Sequence, residues 1–131
     1  MSKALYAVND RTIDIFKGSE QAFIHLVTTS CEEQKAVFIQ HNDLSEYIDC
    51  CLVYFGEENI EIKQNLIIYH QPLFNQTFTL LVNKENIIVE DITHNPFFEV
   101  MIRVYQNWAE IDELGSVFWL GSCQKSIKRV E

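Results

Sequence analysis

The sequence predicts an α+β domain: a largely antiparallel β-sheet of about five to seven strands, with two main helices, about 43–55 and 96–111, packed on one face of it. Three observations lead there. Short segments rich in β-branched and aromatic residues alternate with turn residues. Two longer segments carry apolar residues at helical spacing behind capping residues. Neither of these sits in a regular strand–helix–strand alternation, and no glycine-rich strand-to-helix turn occurs.

Taken in order, Lys3 to Val8 reads as the first strand, ended by Asn9-Asp10-Arg11. Thr12-Ile13-Asp14-Ile15-Phe16-Lys17 alternates apolar and polar positions and turns at Gly18, which reads as a second. Ser19-Glu20-Gln21 has helix-starting character, yet Phe23 to Thr29 is rich in strand formers, so a strand from Phe23 is expected. After a turn at Glu32-Glu33-Gln34-Lys35, Ala36 to Gln40 reads as another strand. Asp43 opens the first helix as N-cap, with Glu46 three residues on as its capping-box partner. Leu44, Tyr47, Ile48, Cys51, Leu52 and Phe55 form its apolar stripe, and Gly56 closes it.

Ile60 to Tyr69 reads as a strand that Pro72 terminates. Thr77 to Val82 and Ile87 to Ile92 form a hairpin around Asn83-Lys84-Glu85-Asn86. Asn95 caps the second helix and Pro96 takes its first position, where a missing N–H costs nothing. The stripe of Phe97, Met101, Val104, Tyr105, Trp108 and Ile111 extends that helix to about Ile111, with Glu99 and Arg103 paired on its polar side. Ser116 to Leu120 is the last strand, and Gln124 to Arg129 a basic tail.

At 131 residues the chain is the size of one domain and buries enough surface to fold without a disulfide or metal staple. No internal repeat or linker divides it. Asn9-Asp10-Arg11 interrupts the N-terminal apolar run too early for a signal peptide, and no run approaches the ~20 residues of a membrane span. A cytoplasmic location is expected. Cys31, Cys50, Cys51 and Cys123 contain no C-x-x-C pair, so reduced thiols are expected.

The charge is concentrated. Nineteen acids against ten Lys and Arg give a net charge of −9. From Asp43 to Glu61 there are six acids, Asp43, Glu46, Asp49, Glu57, Glu58 and Glu61, and no Lys or Arg. At ~100° per residue, Asp43, Glu46 and Asp49 fall opposite the apolar stripe of the first helix. The row either keeps the surface solvated or steers a basic partner onto it. Free nucleic acid is excluded as a partner, because its affinity comes from Lys and Arg on phosphates. Lys125, Lys128 and Arg129 form only a small cluster.

Chemistry finds little purchase. His25, His41, His70 and His94 are scattered, with His25 and His70 in expected strands and His41 and His94 at helix entrances. Acidic neighbours disfavour a thiolate at Cys31, Cys50 or Cys51, and Cys123 beside Lys125 belongs to no motif. Glu57, Glu58 and Glu61 lack calcium-loop spacing, Glu90-Asp91 is a similarly weak pair, and no hydrolase, zinc-protease or phosphate-loop pattern occurs. No cofactor or metal is therefore expected. Phe97, Tyr105 and Trp108 read as core, whereas Phe98 and Trp119 fall off the main face of their elements and are candidates for an exposed anchor.

These features point to a non-enzymatic, acidic binding module for a basic protein. The most concrete form is an immunity- or antitoxin-type inhibitor that masks a nuclease-like toxin domain through Asp43, Glu46, Asp49, Glu57, Glu58 and Glu61. The alternatives are a secretion-chaperone-like protein that holds a client, or a small-ligand domain or enzyme whose site is assembled from scattered residues.

Overall fold

β1 (Ser2–Val8) runs through the interior of a seven-stranded sheet, between two strands from the second half of the chain. In the computed structural model, which describes residues 2–90 and 94–121, three short helices follow it: α1 (Asp10–Phe16), α2 (Glu20–Thr28) and α3 (Glu32–Phe38). Next come α4 (Leu44–Phe55), a single 3-10 turn (Glu57–Asn59), β2 (Ile60–Lys63), β3 (Leu66–Gln71), β4 (Gln76–Val82) and β5 (Ile87–Glu90). α5 (Phe97–Val104), β6 (Asn107–Ile111) and β7 (Val117–Leu120) complete the described residues. The order across the sheet is β2-β3-β4-β5-β1-β6-β7, antiparallel at every pairing. The α+β class and the antiparallel sheet are as the sequence predicts.

The two expected helices, α4 and α5, share one face of the sheet, and three further helices cover the other. Strand side chains alternate between faces. Leu5, Ile67, Leu80, Ile87, Val89 and Trp108 point to one side and meet Tyr47 and Cys51 of α4 and Phe97, Val100 and Met101 of α5. Val8, Ala109 and Trp119 point to the other and meet Ile13, Phe23 and Leu26 of α1 and α2. The register Tyr6↔Ala109↔Trp119 puts that second core at the β1–β6–β7 end.

The expected strands at 12–17, 23–29 and 36–40 are these three helices. β1 ends at Val8 as expected, and Asn9 just past it also caps α1: its Oδ1 accepts from the Thr12 N–H at 2.8 Å. Phe23, Leu26 and Val27 recur at i, i+3, i+4, so the burial of one helical face in the second core overrides their β propensity. α3 ends at Phe38, and only Ile39 keeps strand character, as an isolated bridge to Val8.

Thr12 binds this layer together. Its hydroxyl lies 2.8 Å from the Phe38 carbonyl of α3 and 2.9 Å from Asn9 Oδ1, and it is fully buried. Thr12→Val leaves those acceptors without that donor and costs about 1–3 kcal/mol, read as a lower urea midpoint at unchanged slope.

Two other expectations are corrected. The stretch 60–69 is a hairpin, β2 and β3 joined at Gln64-Asn65, with Gln64 at φ 55°. The helix expected to reach Ile111 stops at Val104. Tyr105 is extended, its carbonyl accepts from Trp108 Nε1 at 2.9 Å, and residues 107–111 pair with β1. A strand lets Trp108 and Ala109 bury on opposite faces, which one helical stripe cannot do. Asn95 still serves the start of α5, its Oδ1 accepting from the Phe97 N–H at 3.0 Å. Asp91, Ile92, Cys123 and the expected tail at 124–129 lie outside the described residues.

Candidate functional site

α4 presents the acidic row. Its inner face carries Tyr47 and Cys51, fully buried, while Phe55 stacks on Tyr69 with ring centroids 4.0 Å apart. Tyr47 reaches past the core to donate its hydroxyl to Asn42 Oδ1 at 2.7 Å, and burial pushes its pKa far above the ordinary phenol value. Asn42 is tied to the β4–β5 turn, its N–H to the Lys84 carbonyl and its amide to the Asn83 carbonyl. The entrance of α4 is therefore held from both sides.

Asp43, Glu46, Asp49, Glu57, Glu58 and Glu61 are all exposed, but they are not one set. Asp43 is the N-cap of α4: its Oδ1 accepts from the Ser45 N–H at 3.0 Å and from the Ser45 hydroxyl at 2.8 Å. The expected capping-box partner, Glu46, instead shares the outer face with Asp49. At helical spacing, Glu46, Asp49 and Val53 follow one line. Val53 is 84% exposed, an apolar side chain set at the end of the acidic line. Tyr54 beside it is partly exposed, with the Arg103 guanidinium 5.8 Å from its ring centroid. Glu57 and Glu58 follow at the C-terminal end of α4, whose last turn has no basic residue.

Glu61 stands apart. The register Ile60↔Tyr69 puts Ile60 on the α4 side of the sheet, so Glu61, opposite Ile68, faces away from α4. It is also partnered, by His70 Nε2 at 3.2 Å and Lys63 Nζ at 3.4 Å. The hydrogen bond with His70, then that with Lys63, holds its carboxyl below the usual carboxylate range.

The fold makes limited use of the rest of the row. Carboxylates favour a helix N-terminus and oppose a C-terminus. Asp43 and Glu46 thus assist α4, whereas Glu57 and Glu58 work against it. Burial, and then the charge of Glu46 and Asp43, raises the pKa of Tyr105, whose hydroxyl donates to the His41 carbonyl at 2.9 Å. Half-buried Tyr105 thus adjoins the N-terminal end of the row.

Neither aromatic expected as an anchor serves as one. Trp119 is 5% exposed within the second core. Phe98 is half-buried under Lys3, whose ammonium lies 5.0 Å from its ring centroid. Leu52, Val53 and Tyr54 are the exposed apolar residues of α4, and of these Val53 lies on the line of Glu46 and Asp49, which the helical wheel could have identified. All four histidines are exposed, His25 on a helix rather than a strand.

Burial pushes the Cys51 thiol up to about 12, with neighbouring Cys50 adding to the effect. Burial also raises Cys50, and Arg103 opposes it. Only the thiolate reacts, and at pH 8 a pKa near 12 leaves about one thiol in ten thousand ionised. Iodoacetamide at pH 8 should label exposed Cys31 before Cys50, and Cys50 before Cys51, as read by peptide mass spectrometry.

No helix among the described residues is long and apolar enough to cross a membrane. No protein-family model matches the chain, and no curated protein matches it.

Proposed function

We propose that the protein is an acidic binding module that masks a basic protein partner, most concretely an immunity- or antitoxin-type inhibitor of a nuclease-like toxin domain. The observation that carries this reading is the outer face of α4. Glu46, Asp49, Glu57 and Glu58 stand in water without a Lys or Arg among their sequence neighbours from 43 to 61, and Val53 lies among them.

A nuclease active site is positive because its substrate is a polyphosphate. A carboxylate row can occupy that site as a phosphate mimic or cover the surface beside it, and an exposed aliphatic side chain within the row supplies desolvated contact. Charge of this kind accelerates encounter more than it tightens the complex. Screening shortens its reach to about 8 Å at physiological salt.

Affinity capture from native host lysate, with low- and high-salt washes and mass-spectrometric identification, tests the reading. It predicts one basic protein that is retained at low salt and weakened at high salt. No protein retained at either salt contradicts it.

A further inference from the structure

We propose that Glu32, His41 and Glu85 form a binding site for a divalent transition-metal ion of the zinc class. The three residues come from separate parts of the fold: the first turn of α3, the loop into α4 and the β4–β5 turn. One ligand atom from each, an imidazole nitrogen and two carboxylate oxygens, lies within 4.8 Å of the others. This inference does not rest on the partner-binding reading.

The scaffold beneath these side chains is fixed. Lys35, 7% exposed, donates to Glu85 Oε1 at 3.0 Å and ties α3 to the β4–β5 turn. The loop carrying His41 is held by Tyr105 at its own carbonyl and, through Asn42, by the carbonyls of Asn83 and Lys84. The Glu85 side chain is 26% exposed and gives Oε1 to Lys35, which leaves its second oxygen for another partner. Oε2 is sealed from solvent and has no hydrogen-bond partner among the described residues. A buried carboxylate oxygen left so is costly, and a cation beside the carboxylate offsets that cost.

The donor set selects the ion. An imidazole with two carboxylates suits zinc and its neighbours, whereas calcium and magnesium favour oxygen alone. Tetrahedral zinc places its ligand atoms about 3.3 Å apart. The exposed Glu32 and His41 side chains therefore draw inward by about 1–1.5 Å, while Lys35 holds Glu85. Three protein ligands leave a fourth position for water.

Charge sets the competition. Lys84 Nζ stands 3.6 Å from Glu32 Oε2, with both side chains well exposed, and is the cation that an arriving metal displaces. Lys35 keeps Oε1 of Glu85.

Calorimetric titration of the whole chain with zinc sulfate, under a non-chelating buffer and reductant, tests the site. One equivalent is expected to bind. His41→Ala and Glu32→Gln should each weaken binding by at least the roughly 10–100-fold that loss of even an outer partner costs. Cys31→Ser should leave it unchanged, and Lys84→Ala should strengthen it, an effect that a merely structural Lys84 would not produce. All four altered side chains are exposed, and matching circular dichroism spectra confirm that the variants are folded. Absence of saturable binding, binding indifferent to His41→Ala, or binding lost with Cys31→Ser overturns the proposal.

Discussion

Trp108→Ala should lower the thermal midpoint by about 10–20 °C, from a loss of about 3–5 kcal/mol. Trp108 is the largest fully buried side chain. It lies on β6, between β1 and the edge strand β7 and opposite Ala7, and joins the core that unites the sheet with α4 and α5. Truncation empties that volume and removes the Nε1 donor from the Tyr105 carbonyl at the point where α5 gives way to β6. Trp108→Phe keeps most of the apolar contact and loses only the donor, so it should fall between wild type and alanine. Circular dichroism melts read both. A shift of only a few degrees for the alanine variant would mean that this core is not where the stability lies.

The same residue shows what sequence reasoning reaches and what it misses. Trp108 is legible as core from its neighbours alone, but its secondary structure is not, because 97–111 satisfies a helical stripe almost to its end. The switch at Tyr105 is decided by β1, which needs a partner on its second side and lies about a hundred residues earlier in the chain. The helices α1 and α2 are lost for a related reason. Ile13, Ile15 and Phe23 to Val27 carry strand propensity, and only the tertiary fact that one helical face buries in the second core outweighs it. Asn9 held the missed local signal, since an Asn before Asp10 and Thr12 is ordinary cap chemistry.

α4 is legible because its cap, its stripe and its closing glycine, at φ 86°, all agree. The acidic row on its outer face follows directly from that wheel. The separation of Glu61 does not, because it depends on the register of a hairpin whose turn contains no glycine. Glu32, His41 and Glu85 share no sequence pattern at all, and only the meeting of α3, the α4 loop and the β4–β5 turn brings them together.

Asp43→Asn with Glu46→Lys and Asp49→Lys should abolish partner capture while moving the thermal midpoint by no more than a few degrees. The choice at position 43 follows from its cap. Lysine there would remove the acceptor that Ser45 uses and cost about 1 kcal/mol, whereas asparagine caps as well as aspartate. Glu46 and Asp49 are exposed, so their reversal leaves the core untouched. It replaces two attractive charges with two repulsive ones, which costs more than neutralisation alone. Val53→Asp, which adds acid but removes the apolar contact, should weaken capture without abolishing it. A variant that unfolds would assign the row to the fold, and a folded variant that still captures the partner would assign binding elsewhere.

The most direct measurement titrates the captured basic partner, purified and assayed for cleavage of RNA or DNA, with this chain and with the variant carrying Asp43→Asn, Glu46→Lys and Asp49→Lys. Cleavage is expected to fall to background at one equivalent of the wild-type chain and to persist with the variant. Equal inhibition by both chains, or none by either, would contradict it.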